Sequence, residues 1–283
     1  MNTLRNLFFD QNLTWPKLIG FSIICGVVTG GITLIPALDS TSVHNIAVCF
    51  EAWILLAMFI ILNSKSPLEA GLKTFVFFLI SQPLCYLVQV PFVMDGFGIF
   101  RYYPYWAVLT VLTLPGGMTA WFVKKQNWLS VVLMSVILLV LSIELTGHFV
   151  TMTKFFPSQL LAVLFIPAEM ALLIAVVFTD KTKRIVMFVI CLALIGGCAL
   201  NHYLNPPKIS VSCQLPDNGP YSIVKADESI TAEIKDGCFL SVTGSQNGRY
   251  AIQVQGPDGT VQEYIFTISN EGSNLQPAER DQQ

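Results

Sequence analysis

The chain has 283 residues, of which 53% are hydrophobic and only 12% are charged. An ordinary soluble domain carries about 25% charged residues, so a soluble fold of this length would lack the charge needed to cover its surface. The net charge is −2 and the basic residues form no cluster, which excludes the basic footprint of a nucleic-acid-binding protein. The composition therefore predicts a protein whose main partner is the lipid bilayer.

The charge is unevenly distributed along the chain. Residues 1–206 contain eleven Lys/Arg and eight Asp/Glu, whereas residues 207–283 contain five and ten. The first part is made of long apolar runs, and the second is polar. We therefore predict a transmembrane domain over 1–206, a small all-β domain over 207–270, and a disordered tail over 271–283, rich in Gly, Ser, Gln, Pro and charge.

Seven apolar runs in the first part are long enough to cross a hydrocarbon core about 30 Å thick. All are predicted to be helices, because lipid leaves open backbone groups without partners. The fold class is thus a polytopic all-α bundle of about seven helices. Gly26, Gly30 and Gly31 in the first run predict close packing against another helix. The runs are 17–36, 45–62, 69–90, 104–123, 128–147, 159–178 and 185–203.

The basic residues between the runs predict the orientation of the chain. Cytoplasmic loops are enriched in Lys and Arg. With the N-terminus in the cytoplasm, only Arg101 and Lys154 lie in outer loops, and an odd number of spans sends the β-domain outside the cytoplasm. Nine basic residues then lie on the inner side: Arg5, Lys17, Lys65, Lys73, Lys124, Lys125, Lys181, Lys183 and Arg184.

Short alternating segments in the second part predict a small β-sandwich or partial barrel. The clearest alternation is at Tyr250, Ile252 and Val254. Cys213 and Cys238 lie in this domain, and its extracytoplasmic location favours a disulfide between them. The predicted strands are 208–214, 222–225, 229–235, 239–243, 249–255 and 261–269.

Three carboxylates fall inside the apolar runs, where charge is costly and often marks a functional site. Glu51 lies in the second run, Glu144 in the fifth and Glu169 near the middle of the sixth. Glu51 and Glu144 are expected at similar depth, with Glu169 deeper. Together they predict an outward-opening polar funnel with Glu169 at its floor.

The three histidines of the chain, His44, His148 and His202, all fall at the predicted outer boundary. Glu144 and His148 are four residues apart and share a helix face. Histidine with carboxylate suits a transition metal such as Zn²⁺, and it equally suits proton relay. No recognised zinc-binding spacing occurs. The plain alternative is that these histidines sit at headgroup level among Tyr and Trp.

Three functions remain open on these grounds. The first is a non-enzymatic membrane protein that moves or senses a small solute or ion through the funnel. The second is a membrane-embedded metal-dependent hydrolase with His44, His148 and His202 as ligands. The third is a structural or assembly subunit whose β-domain binds an extracytoplasmic protein or a small molecule.

Overall fold

The structure, a computed structural model, forms two compact units, Met1–Ala199 and Leu200–Gln283. The boundary falls inside the last helix rather than after it. Each unit has its own hydrophobic core. The described residues are 5, 8–9, 11–39, 41–94, 96–154, 156–205, 208–216, 220–235, 238–245, 248–269 and 272–277.

Six helices in the described ranges are long and apolar enough to cross a membrane, and a bent pair raises the number to seven if it crosses as one span. The pair, α2 and α3, is bent by 45°. The α-helices are α1 Trp15–Thr33, α2 Ser42–Val48, α3 Phe50–Leu62, α4 Pro67–Gln89, α5 Tyr103–Ala120, α6 Trp128–Lys154, α7 Leu160–Val177 and α8 Lys181–Leu204. Two 3₁₀ segments, Gly96–Tyr102 and Trp121–Lys125, flank α5.

The break between α2 and α3 falls at Cys49, whose extended backbone (φ −82°, ψ −172°) interrupts the helix. Such a break releases carbonyl groups that need new partners. The Trp53 indole donates to the Ala47 carbonyl at 3.0 Å and satisfies one of them. The predicted single helix over 45–62 is therefore two helices, and Glu51 lies in the first turn of the second.

Glycines allow α4 to approach its two neighbours closely. A Cβ at Gly26 or Gly30 of α1 would lie 2.7 Å or 2.6 Å from a carbonyl oxygen of α4. A Cβ at Gly71 of α4 would lie 2.5 Å from a carbonyl oxygen of α5. The predicted packing face is confirmed for Gly26 and Gly30, whereas a Cβ at Gly31 would meet no atom within 4 Å.

The second unit is built from two antiparallel sheets, with strand orders β1-β4-β3 and β2-β5-β6-β7. Leu240 and Val242 of the first sheet share a buried cluster with Ile252 and Phe266 of the second. This is the two-layer arrangement of a β-sandwich. The strands are β1 Ile209–Gln214, β2 Ser222–Ala226, β3 Thr231–Lys235, β4 Phe239–Gly244, β5 Gly248–Gln255, β6 Val261–Ser269 and β7 Gly272–Pro277.

Strand β7 falls in the segment that the sequence predicted to be a disordered tail. It pairs with β6 from Tyr264↔Pro277 to Ser269↔Gly272, and its Leu275 is buried. The prediction is therefore wrong for these six residues, because pairing with an existing strand supplies the order that the local composition lacks. Residues 278–283 lie outside the described ranges.

The predicted disulfide is not present, because Cys213 and Cys238 are both free thiols. Strands β1 and β4 pair with Cys213 opposite Leu240, and the Leu215 amide donates to the Cys238 carbonyl at 2.7 Å. The two cysteines are thus offset by two residues along the ladder. Diagonal neighbours lie about 7–8 Å apart, whereas a disulfide needs Cβ atoms about 3.5–4.5 Å apart.

Candidate functional site

The polar site of the first unit is assembled by α2, α3, α6 and the turn before α7. Ser42 anchors the start of α2 to that turn, since its amide and its hydroxyl both donate to the Ser158 carbonyl, at 2.9 Å and 2.8 Å. This contact brings Asn45 of α2 to Gln159. The break after α2 then directs the first turn of α3, with Glu51, towards α6.

Four polar side chains from these elements form one hydrogen-bonded chain. Asn45 Nδ2 donates to Gln159 Oε1 at 2.9 Å, and His148 Nδ1 lies 3.1 Å from the same oxygen. The other ring nitrogen, His148 Nε2, contacts Glu51 Oε1 directly. Gln159 and His148 are more than nine-tenths buried, and Glu51 has no exposed surface.

The directions of these hydrogen bonds determine where a proton lies between the four side chains. An amide oxygen only accepts, so with Gln159 oriented in this way both Asn45 Nδ2 and His148 Nδ1 are donors. His148 Nε2 then either donates to the Glu51 carboxylate from an imidazolium or accepts from a protonated Glu51. In both forms one proton is held between Glu51 and His148.

Glu144 joins this pair from one helical turn before His148. One ligand atom each from Glu51, Glu144 and His148 lie within 4.8 Å of one another. Glu144 is half-buried, and the second oxygen of Glu51, Oε2, is buried without a hydrogen-bond partner. The group therefore has a carboxylate oxygen without a hydrogen-bond partner, and it lies with two further side chains that could bind a metal ion.

Glu169 on α7 is the third intramembrane carboxylate. It is 2% exposed, and neither of its oxygens has a hydrogen-bond partner. Glu51 is its electrostatic neighbour, and the two charges would repel each other. In the described part of the chain, the ion pairs of Lys73, Lys183 and Lys235 are made with other carboxylates.

The structure brings together some of the predicted site residues and not others. Glu51, Glu144 and His148 converge, and Glu169 is close enough to Glu51 for their charges to interact. His44 lines a different cavity, and His202 belongs to the second unit. Of the three histidines expected as ligands of a hydrolase, only His148 lies in a group of possible metal ligands in the described ranges.

Asn45 and Gln159 were missed at the sequence level. Both are polar residues at the predicted outer ends of apolar runs, on the same side as His148. That shared end was a usable signal, but it applied equally to other polar residues there. Only the contact between Ser42 and the turn before α7 selects this pair.

No protein-family model, curated protein or solved structure matches this chain. The function proposed below is therefore argued from the geometry of the site alone.

Proposed function

We propose that the chain is a multi-pass membrane protein that binds a small cation at Glu51, Glu144 and His148 and moves or senses it. The observation that carries the proposal is the convergence of their three ligand atoms within 4.8 Å, in a helical unit apolar enough to lie in a membrane. Buried carboxylates without Lys or Arg partners are stable only when protonated, hydrated or bound to a cation.

The donor set suits a divalent transition metal such as Zn²⁺. Imidazole nitrogen and carboxylate oxygen are both common ligands of Zn²⁺, and three protein ligands leave a fourth position open. An open position allows a bound ion to exchange, which both movement and sensing require. Glu169, buried on α7 without a hydrogen-bond partner and electrostatically coupled to Glu51, would add to the attraction for the ion.

Binding of a metal would displace the proton between Glu51 and His148, because metal ligands must be deprotonated. Gln159 accepts from His148 Nδ1 and so leaves Nε2 for the ion. Hydrogen-bonded partners of this kind fix the tautomer and the orientation of a ligand histidine. The cation would therefore exchange for protons, and its affinity would fall as the pH is lowered.

In this proposal the N-terminus is cytoplasmic and the β-domain is extracytoplasmic. The asymmetry of nine basic residues against two supports the orientation. The bent α2–α3 pair is counted as one span in this proposal, which makes the number of spans odd and places the two ends on opposite sides.

The test is Zn²⁺ binding by the full-length chain in lipid nanodiscs, measured by isothermal titration calorimetry. We expect one ion per chain, with affinity reduced at least tenfold in Glu144→Gln and in His148→Gln. Glu263→Gln, at an exposed glutamate of β6, is the matched control and should bind like the wild type. Uptake of Zn²⁺ by proteoliposomes would then distinguish movement from sensing.

Absence of Zn²⁺, Mn²⁺ and Co²⁺ binding by the folded wild-type chain would contradict the metal assignment. Equal affinity in the wild type and in both site variants would show that the ion binds elsewhere.

A further inference from the structure

Two adjacent cavities lie in the first unit. The apolar chamber has a volume of about 370 Å³ and the polar chamber about 320 Å³. Trp53, Gln82 and Trp106 line both of them, so the two share a wall. Glu51, Glu144 and His148 line neither. Small-molecule sites in proteins have volumes of about 300–1,000 Å³.

The apolar chamber has aromatic walls and very few polar groups. The Phe50 and Trp106 rings lie 5.9 Å apart, and the Trp53 and Phe78 rings lie 5.6 Å apart. No charged side chain is among its described lining residues. Thr110 contributes to the wall, is 3% exposed, and its hydroxyl has no hydrogen-bond partner. The chamber thus suits an apolar body and offers one hydroxyl that lacks a hydrogen-bond partner.

The polar chamber is lined by hydrogen-bonding side chains, among them His44, Gln89 and Tyr102. His44 Nδ1 is buried without a hydrogen-bond partner, whereas the Gln89 amide already donates to the Cys85 carbonyl at 2.9 Å. No Asp, Glu, Lys or Arg appears among the described residues of this wall. A head group here would therefore meet hydrogen-bonding partners but no fixed countercharge.

We propose that the two chambers form one binding site for an uncharged amphiphile. Its hydroxyl- or carbonyl-bearing head would lie in the polar chamber and its aliphatic or aromatic body in the apolar chamber. Gln82, at the shared wall, would contact both parts. A phospholipid fits the polar chamber poorly, because a phosphate needs Lys, Arg or a cluster of amide donors.

The site predicts that a bound ligand lies against Trp53 and Trp106, so bromine on the ligand body should quench their fluorescence. A reporter chain with Trp15→Phe, Trp121→Phe and Trp128→Phe retains these two tryptophans alone. The probe is 11-bromoundecan-1-ol, added to the reporter in phosphatidylcholine nanodiscs. We expect quenching that saturates with the alcohol. For 1-bromoundecane and 11-bromoundecanoate we expect only the linear quenching of bilayer partitioning.

Three variants locate the ligand. A Cβ at Gly116, which lines the apolar chamber, meets no atom within 4 Å, so Gly116→Leu should narrow the chamber and abolish saturable quenching. Gly31→Leu is the matched control, because a Cβ at Gly31 is equally free and Gly31 lines neither chamber. His44→Leu should weaken binding of the alcohol about tenfold, because the polar chamber holds its oxygen, and should leave the bromoalkane unchanged. A tenfold loss in Thr110→Val but not in His44→Leu would place the oxygen in the apolar chamber and contradict the assigned position of the head.

Linear quenching by all three probes would overturn the proposal. So would saturable quenching that Gly116→Leu, His44→Leu and Thr110→Val all leave unchanged. Should Gly116→Leu fail to fold, the two polar variants decide. Brominated phosphatidylcholine tests whether a lipid occupies the chambers instead. If it quenches Trp53 and Trp106 and undecan-1-ol does not reverse that quenching, lipid fills the chambers and the assignment to an uncharged amphiphile is wrong.

Discussion

Glu169 is a buried carboxyl without a hydrogen-bond partner or a neighbouring positive charge among the described contacts. It is 2% exposed, both oxygens lack partners, and its electrostatic neighbour Glu51 is of like charge. A buried polar group left without hydrogen bonds costs about 1–3 kcal/mol. A residue that destabilises the fold in this way is better explained by function than by structure.

Replacement of Glu169 should therefore separate stability from function. Glu169→Leu removes the unpartnered carboxyl and should raise the free energy of unfolding by about 1–3 kcal/mol. The same variant should weaken Zn²⁺ binding. Glu169→Gln should fold like the wild type and also bind Zn²⁺ less tightly. Thermal unfolding of the purified full-length chain and calorimetry measure the two effects. Loss of the folded state in the Leu variant would instead show that Glu169 holds the helices together.

Asp258, in the turn between β5 and β6, makes the second unit sensitive to acid. The Thr260 hydroxyl and amide donate to it at 2.6 Å and 3.0 Å and hold its pKa below the ordinary 3.8. A carboxyl with a lowered pKa stabilises the fold above its unfolded pKa, and that stabilisation is lost as the pH falls through the lower folded value.

We expect the protection of β5 and β6 from amide exchange, corrected for intrinsic rates, to fall when the pH is lowered from about 6 to about 3. Asp258→Asn should be less protected than the wild type at pH 6 and should show a smaller change. Equal pH dependence in the two chains would assign the effect to another group, such as Asp227, which Ser229 caps similarly.

At the scale of single elements, the sequence predicted the strands well because alternation is a local property. The predicted and observed bounds of six strands agree within about two residues at each end. β7 was missed because Gly-Ser-Asn-Leu-Gln-Pro has no such alternation, and the strand forms by pairing with β6. The break at Cys49 was missed because no Pro or Gly lies there, and the bond from the Trp53 side chain to the Ala47 carbonyl leaves no signal in the hydrophobic pattern.

In the candidate site, too, the contacts within one helix were predictable from the sequence and those between segments were not. Glu144 and His148 were predicted to meet because residues four apart on one helix share a face. The approach of Glu51 was foreseen only as similar depth, and its direct contact with His148 depends on the bend between α2 and α3. Asn45 and Gln159 come from segments far apart in sequence, and no periodicity within either segment can reveal such a contact.

All seven cysteines are free thiols, and the register of β1 and β4 keeps Cys213 and Cys238 apart, so we predict that all seven are reduced. Full-length chain denatured without a reductant should incorporate seven maleimide groups by mass spectrometry. The same number should be found after treatment with a reductant. Incorporation of five groups before reduction and seven after it would show a disulfide, and would require a shift of two residues between the strands.

At the scale of the whole molecule, the bent α2–α3 pair decides the topology. If the pair crosses the membrane, the number of spans is odd and the two ends of the helical unit face opposite sides. If it enters and leaves on one side, the six remaining helices place both ends on the same side.

Labelling with a membrane-impermeant maleimide distinguishes the two topologies. In a Cys213→Ser, Cys238→Ser background, we expect Ala37→Cys and Glu228→Cys to react in intact cells, and Lys65→Cys only after permeabilisation. All three positions are exposed. Reaction of Ala37→Cys and Lys65→Cys from the same side would show that the pair is re-entrant, and a fully inverted pattern would reverse the orientation.

Helix α3 contributes to both proposed sites. Glu51 belongs to the cation group and Trp53 to the shared wall of the two chambers, and residues two apart on a helix point to nearly opposite sides. A rotation or shift of α3 would alter both sites at once. If both ligands bind, thermodynamic linkage then requires reciprocity, because any factor by which the amphiphile changes the affinity for the cation is the factor by which the cation changes the affinity for the amphiphile.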